Sequence, residues 1–166
     1  ANPGGGSANT ELNHPSNGGE RDGRLWRSPA EAAAPVRNWQ VVARVKGQLT
    51  DSFLVAGEQF GLGGSNSVRG FADRVVAGER GLQWNVEATG PALGATAIRP
   101  VVFADGGAVR ALATGRKENI AAAGAGVRWG GTGWQLALDV ARVLSDASVA
   151  PDPHAVRVHL GVLARF

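Results

Sequence analysis

Residues 38–50 read NWQVVARVKGQLT, and apolar and polar side chains alternate along most of this segment. Because successive side chains of a β-strand point to opposite faces, this period predicts a strand that separates two different media. The same period recurs in five further segments, residues 81–89, 98–108, 119–129, 134–141 and 156–166. Residues 98–108 are the least regular of these, because both of their faces carry apolar side chains. The sequence therefore predicts an all-β chain with six antiparallel strands.

Strand length and the spacing of the links favour a transmembrane β-barrel. The predicted strands have about nine to thirteen residues, whereas strands of soluble proteins average about five or six and transmembrane strands need about 9 to 11. Short links at residues 90–97 and 130–133 alternate with long links at residues 51–80, 107–118 and 144–155. This alternation is the layout of an outer-membrane barrel. Four tryptophans lie on the apolar face near strand ends, where an interfacial aromatic belt is found: Trp39, Trp84, Trp129 and Trp134.

A soluble β-sandwich with Gly-rich loops is the alternative interpretation, because its strands also alternate. In a sandwich the charged face would meet solvent and the apolar face would form the core, and the protein would act as a binding module. Detergent dependence separates the two interpretations. A barrel chain refolds only with detergent or lipid, whereas a binding module is soluble alone.

Composition and spacing give no indication of an enzyme, a cofactor site or a nucleic-acid partner. The chain has no Cys, and His14, His154 and His159 show no metal-ligand spacing. The glycines around Gly63 lack the third glycine and the following helix of a dinucleotide-binding motif. The net charge of +3 is small and the arginines are spread along the chain, which does not favour nucleic acid. We therefore predict no catalytic residue, no metal and no cofactor.

Residues 1–37 differ from the rest of the chain. They are rich in Gly, Asn, Ser and Pro and show no sustained period. We predict a loop or disordered arm here, with at most a strand remnant at residues 25–27 and a short helical segment at residues 31–34 that Pro35 ends. Residues 38–166 are predicted to form the barrel portion.

The densest motif lies in the longest link, where residues 57–71 read GEQFGLGGSNSVRGF. This segment resembles the sixth extracellular loop of the ShlB/FhaC/HecB haemolysin secretion and activation proteins. These are two-partner secretion transporters of the superfamily that includes the barrel-assembly protein BamA. Residues 78–81, GERG, and residues 103–107, FADGG, resemble two further motifs of this family in the same order. The matching loop residues are Glu58, Gln59, Phe60, Leu62, Gly63, Gly64, Ser67, Val68, Arg69, Gly70 and Phe71.

The resemblance implies a fold and a contact. The family barrel has sixteen strands and lies in the bacterial outer membrane, and this chain would supply its C-terminal six or so. The loop with the VRGF motif folds back into the barrel interior, where Arg69 would pair with Asp105 of the FADGG segment. A planar guanidinium can bind a carboxylate through two hydrogen bonds, so this pair would both position the loop and satisfy the two charges.

The resemblance also implies a function and partners. The family exports, and activates, a large exoprotein of the haemolysin or adhesin type, which requires no bond chemistry. The implied partners are the secreted exoprotein, outer-membrane lipid and the barrel-assembly machinery, for which Phe166 at the end of an alternating strand would be the assembly signal. The POTRA domains and the plug helix of the family have no counterpart in the sequence, so we expect the chain to be a fragment of such a transporter.

Overall fold

A computed structural model of the protein describes residues 24–145 and 155–164. These residues form strands joined by turns and loops. They contain no helix with the length and apolar character needed to cross a membrane. The strands of the described residues are β1 (Leu25–Val36), β2 (Trp39–Thr50), β3 (Phe60–Leu62), β4 (Val76–Gly78), β5 (Arg80–Thr89), β6 (Ile98–Arg110), β7 (Lys117–Gly131), β8 (Trp134–Val143) and β9 (Val156–Ala164).

Seven of these strands form one antiparallel sheet in the order β1-β2-β5-β6-β7-β8-β9. The six strands predicted from the alternation are confirmed as β2 and β5 to β9. The two short strands β3 and β4 form a separate hairpin inside the long link between β2 and β5. Within the described residues the sheet is open, with β1 and β9 as its two edges.

The first strand of the sheet corrects the prediction for residues 25–36. The short helix predicted at residues 31–34 is wrong, and the strand remnant at residues 25–27 is part of a full strand, β1. So short a helix is marginal by itself, whereas β1 pairs with β2 along its whole length, from Leu25 opposite Thr50 to Val36 opposite Trp39. Its prolines are tolerated because β1 is an edge strand of the described sheet. Residues 1–23 of the predicted arm lie outside the described part of the chain.

The sheet has a mostly apolar outward face and an inward face on which buried polar side chains and apolar clusters lie side by side. In β5, Leu82 is 51% exposed whereas the adjacent Gln83 is 4% exposed. Leu138 and Asp139 fall on opposite faces of β8 in the same way, and Asp139 is buried. The inward face is buried because residues of the link between β2 and β5 pack against it. In the described residues no second sheet covers the outward face, as a sandwich would require.

Candidate functional site: the loop on the inward face

The candidate site is the link between β2 and β5, residues 51–79, which we call the docked loop. The hairpin β3-β4 forms its stem, and the VRGF motif, residues 68–71, lies in the tip between the two strands. Gly63 and Gly64 begin the tip with φ angles of +110° and +93°, a region that favours glycine. A Cβ at Gly64 would also overlap the carboxylate of Asp73. Both glycines of the predicted motif are therefore required by the backbone path.

The structure brings Arg69 and Asp105 together on the inward face. Nε of Arg69 donates to Oδ2 of Asp105 at 2.7 Å, and Nη2 donates to Oδ1 at 2.9 Å. The guanidinium thus binds the carboxylate through two parallel hydrogen bonds. The backbone N–H of Arg69 also donates to Oδ2 at 3.3 Å. Asp105 is 0% exposed, so this ion pair is removed from solvent.

Arg69 also contacts two carboxylates that the sequence did not assign to it. Its Nη1 lies 2.9 Å from Oε2 of Glu87 and 3.3 Å from Oδ2 of Asp139. Arg128 binds the same two side chains, with its Nη1 2.6 Å from Oδ1 of Asp139 and its Nη2 3.2 Å from Oε2 of Glu87. We call these five side chains the charge cluster. Two cations and three anions give it a formal charge of −1 (2 − 3).

Two neutral side chains complete the surroundings of Arg69. Cζ of Arg69 lies 3.4 Å from the centre of the Phe103 ring, a distance at which a cation is attracted to the aromatic face. Asn85 donates through Nδ2 to Oδ1 of Asp105 at 3.0 Å and to the backbone oxygen of Ser67 at 2.7 Å.

Burial by itself would lower the pKa of Arg69, but the hydrogen bonds and charges of Asp105 and Glu87 raise that pKa above its ordinary value. Arg69 therefore stays charged while it is buried.

Apolar side chains hold the tip of the docked loop as well. Val68 and Phe71 flank Arg69 and Gly70 and are 0% and 3% exposed. They belong to one apolar cluster, in which the loop also contributes Leu62 and Val76 and the strands contribute Val109, Ile120, Ala122 and Val143. Burying a side chain of this size stabilises a fold by about 1.5–3 kcal/mol. The tip is therefore held by apolar contacts as well as by the ion pair that the family resemblance predicts.

Gly70 connects the tip to the last strand of the sheet. Its φ is +95°, and its backbone N–H donates to Nε2 of His159 in β9 at 3.3 Å. A Cβ at this position would lie 3.4 Å from Cβ of Ala122 and 3.5 Å from Cγ2 of Val143. The motif glycine therefore supplies a left-handed conformation where the loop packs closely on the sheet. The absence of metal-ligand spacing at His159 gave no indication of this contact.

The motifs on either side of the tip organise the base of the docked loop. Gln48, on the inward face of β2, donates through Nε2 to the backbone oxygens of Glu58 and Glu79 at 3.0 and 3.1 Å. The carboxylate of Glu79 accepts hydrogen bonds from Nε2 of Gln59 at 3.0 Å and from the backbone N–H of Leu112 at 2.8 Å. Glu58 and Gln59 of the EQF segment and Glu79 of the GERG segment thus join the loop to the strand ends.

A signal for the missed charged residues was present in the alternation. Glu87, Arg128 and Asp139 all lie at inward positions of their strands, where a polar side chain needs either water or a partner. Which of them meet at one point depends on strand register, which alternation does not report.

The described residues contain no group of three or more His, Cys, Asp or Glu side chains placed to hold a metal ion. Phe166 lies outside the described residues.

Fold and site together define a class of protein. An antiparallel sheet with a mostly apolar outward face, and with a loop docked on its inward face, is consistent with part of a β-barrel wall. The sequence model of the haemolysin secretion/activation protein family ShlB/FhaC/HecB matches residues 6–129, and the chain belongs to this family. The match includes β1 and so begins well before residue 38, the first residue of the predicted barrel portion. No curated protein matches the chain. Members of the family are outer-membrane proteins of two-partner secretion.

Proposed function

We propose that this chain forms part of the wall of an outer-membrane β-barrel that exports, and activates, an exoprotein of the haemolysin or adhesin type. The observation that carries the proposal is Arg69, which connects the docked loop to carboxylates on β5, β6 and β8. Such a loop needs an enclosed polar interior, and the inward face of this sheet supplies its polar partners. Family membership supports the same function.

The outward face supports a position in the membrane. Val158, Leu160 and Val162 in β9 are 65%, 67% and 71% exposed. In water, so large an apolar surface would promote aggregation, whereas in hydrocarbon it is favourable. Because hydrocarbon cannot satisfy an unpaired strand edge, β1 and β9 would pair with further strands of the barrel. Phe166 would complete the signal that the barrel-assembly machinery reads.

The docked loop would act by its position and not by bond chemistry. Inside the barrel it narrows the path for the exoprotein, and the charge cluster determines how far the tip can move from the wall. Loss of the Arg69 contacts would free the tip while leaving the strands paired. Export is therefore expected to respond to changes in the charge cluster even when the barrel still assembles.

Export can be tested by comparing secreted proteins from cells with and without the gene. Under the proposal, loss of the gene removes a large haemolysin- or adhesin-type protein from the medium, and Arg69→Ala reduces its amount at an unchanged barrel level. A secreted protein set that is the same in both strains would contradict the function.

The position in the membrane is tested separately with single cysteines, because the chain has no Cys of its own. Ala137 and Leu138 are adjacent residues of β8 that are both partly buried and lie on opposite faces. In intact outer membranes a water-soluble maleimide is expected to label Ala137→Cys and not Leu138→Cys. Equal labelling of both would indicate that the outward face meets water.

A further inference from the structure

Three cations lie side by side on the outward face. Arg80 in β5 is directly opposite Arg110 in β6, and Arg110 is directly opposite Lys117 in β7. Their outward direction follows from the alternation, since Leu82 in β5 and Ala108 in β6 are exposed on the same face. Side chains in such cross-strand pairs have Cβ atoms about 4.5–5.5 Å apart, and like charges at this spacing are destabilising. We call these three side chains the cation row. An anion bound to the cation row would offset the repulsion between its members.

The described residues satisfy only one member of the row. Arg80 donates through Nε to the backbone oxygen of Thr50 at 2.7 Å, and its Nη2 pairs with the carboxylate of Asp51. The side chains of Arg110 and Lys117 are exposed, and neither side chain forms a hydrogen bond or an ion pair within the described part of the chain. Two uncompensated charges thus remain on a face that is otherwise mostly apolar.

An apolar groove adjoins the cation row. Trp26 in β1 and Leu49 in β2 are opposite each other and are 71% and 63% exposed. Together with Leu82 and the three cations they line one open groove of about 480 Å³. The groove therefore combines a charged end with an apolar floor.

The position of the cation row along the strands agrees with a groove that has one charged end and an apolar floor. Arg80, Arg110 and Lys117 stand at the strand ends joined by residues 51–79 and 111–116. The same end of the sheet carries the two longest links between the described strands, residues 51–79 and 144–155, whereas the long link predicted at residues 107–118 is shortened to residues 111–116 because β6 and β7 extend into it. In an outer-membrane barrel the long links lie at the external end. In that orientation the cation row lies at the level of the lipid head groups, and Leu82 and Trp26 lie toward the acyl chains.

We propose that the groove binds a phosphorylated lipid of the external leaflet, with its phosphate on the cation row and its acyl chains on Trp26, Leu49 and Leu82. Lys and Arg donors form short, strong hydrogen bonds with phosphate, and one phosphate that bridges Arg110 and Lys117 removes their repulsion. The lipid would fasten the ends of β5, β6 and β7 next to the base of the docked loop. The inference rests on the proposed membrane position of the sheet.

The test uses the protein as the cell makes it, purified from outer membranes in detergent. Native mass spectrometry measures its binding of fully phosphorylated lipid A and of the same lipid with its phosphates removed. The phosphorylated lipid is expected to bind more tightly. The double variant Arg110→Gln/Lys117→Gln is expected to lose about 30-fold of that affinity, since each basic residue at an anionic lipid surface contributes roughly fivefold.

Arg142 gives a matched control. It is exposed on β8 close to the same end of the sheet, but its cross-strand neighbours are Ala123 and Val156, so it stands outside the cation row. Arg142→Gln is expected to change lipid affinity less than about twofold.

Two outcomes would overturn the inference while leaving the proposed function intact. These are equal binding of the two lipids by the unaltered protein, and equal losses in the double variant and in Arg142→Gln. The first comparison needs no substitution and does not depend on how a variant folds. Barrel formation is followed independently as heat-modifiable migration on gels. A protein that forms no such barrel refutes the proposed function, and the lipid site with it.

Discussion

Removal of the Arg69 side chain is the perturbation that most directly tests the role of the docked loop. Arg69→Ala leaves the buried carboxylate of Asp105 with Asn85 as its remaining side-chain donor, and it leaves Glu87 and Asp139 to Arg128 alone. Breaking a buried ion pair by removing one partner costs about 3–5 kcal/mol. Docking of the loop tip is expected to weaken by this amount, which corresponds to about two to four orders of magnitude in the docking equilibrium.

Removal of the partner carboxylate by Asp105→Ala is expected to weaken loop docking less than Arg69→Ala does. Asp105→Ala leaves Arg69 with two other carboxylates, Glu87 at 2.9 Å and Asp139 at 3.3 Å. Arg69→Lys keeps the charge but cannot form the two parallel hydrogen bonds, so it is expected to restore docking only in part. The double variant Arg69→Ala/Asp105→Ala should be much less damaging than the sum of the single changes, because the two residues share one contact.

Hydrogen exchange of the backbone amides in residues 63–75 measures docking, because exchange reports local opening free energy. Exoprotein secretion at equal barrel levels measures its consequence. Arg44→Ala is the control, since Arg44 forms an exposed ion pair with Glu31 in the same sheet and such pairs contribute only about 0–1 kcal/mol. Strictly additive effects of Arg69 and Asp105, or unchanged exchange in Arg69→Ala, would refute the assignment of Arg69 as the anchor.

Three further predictions concern the loop path, the orientation of the sheet and assembly. Gly64→Ala should weaken loop docking by about 1–3 kcal/mol because of its φ of +93° and its close aspartate neighbour, whereas Gly57→Ala, in open space, should leave amide exchange in the tip unchanged. Leu138→Arg should lower barrel stability in a lipid-folding titration by about 2–4 kcal/mol, and Ala137→Arg far less; equal losses would contradict the orientation. Deletion of Phe166 should reduce the heat-modifiable barrel without changing synthesis, and an unchanged barrel yield would count against an assembly signal.

Much of the fold could be predicted from residues that are neighbours in the chain. The alternation of Leu82, Gln83 and Trp84 assigns each side chain to a face of its strand, because strand geometry has a period of two. The same reasoning did not find β1, whose residues 25–36 contain two prolines and an alanine run. Those residues form a strand because β2 offers a partner at every position, which is a tertiary contribution.

The site was predictable only where a motif identified it. The pairing of Arg69 with Asp105 came from the family resemblance, and no local pattern in the chain could have indicated it. Asp139 is separated from Arg69 by 70 residues, and it lies nearby because it is on the inward face two strands beyond Asp105 in the sheet. Sequence alone marked Glu87, Arg128 and Asp139 as inward and polar, without showing that they share partners.

Local backbone geometry made two features predictable from the sequence: the face on which each side chain of β2 and β5 to β9 lies, and the motif glycines at which the loop can bend. Which inward charges meet is a tertiary property, because it depends on the register and order of strands that are far apart in the chain. Packing between distant segments also places Val68 and Phe71 in one apolar cluster with Ile120 and Val143. The tip of the docked loop is held by these long-range contacts, and their energies depend on burial that no single segment can produce.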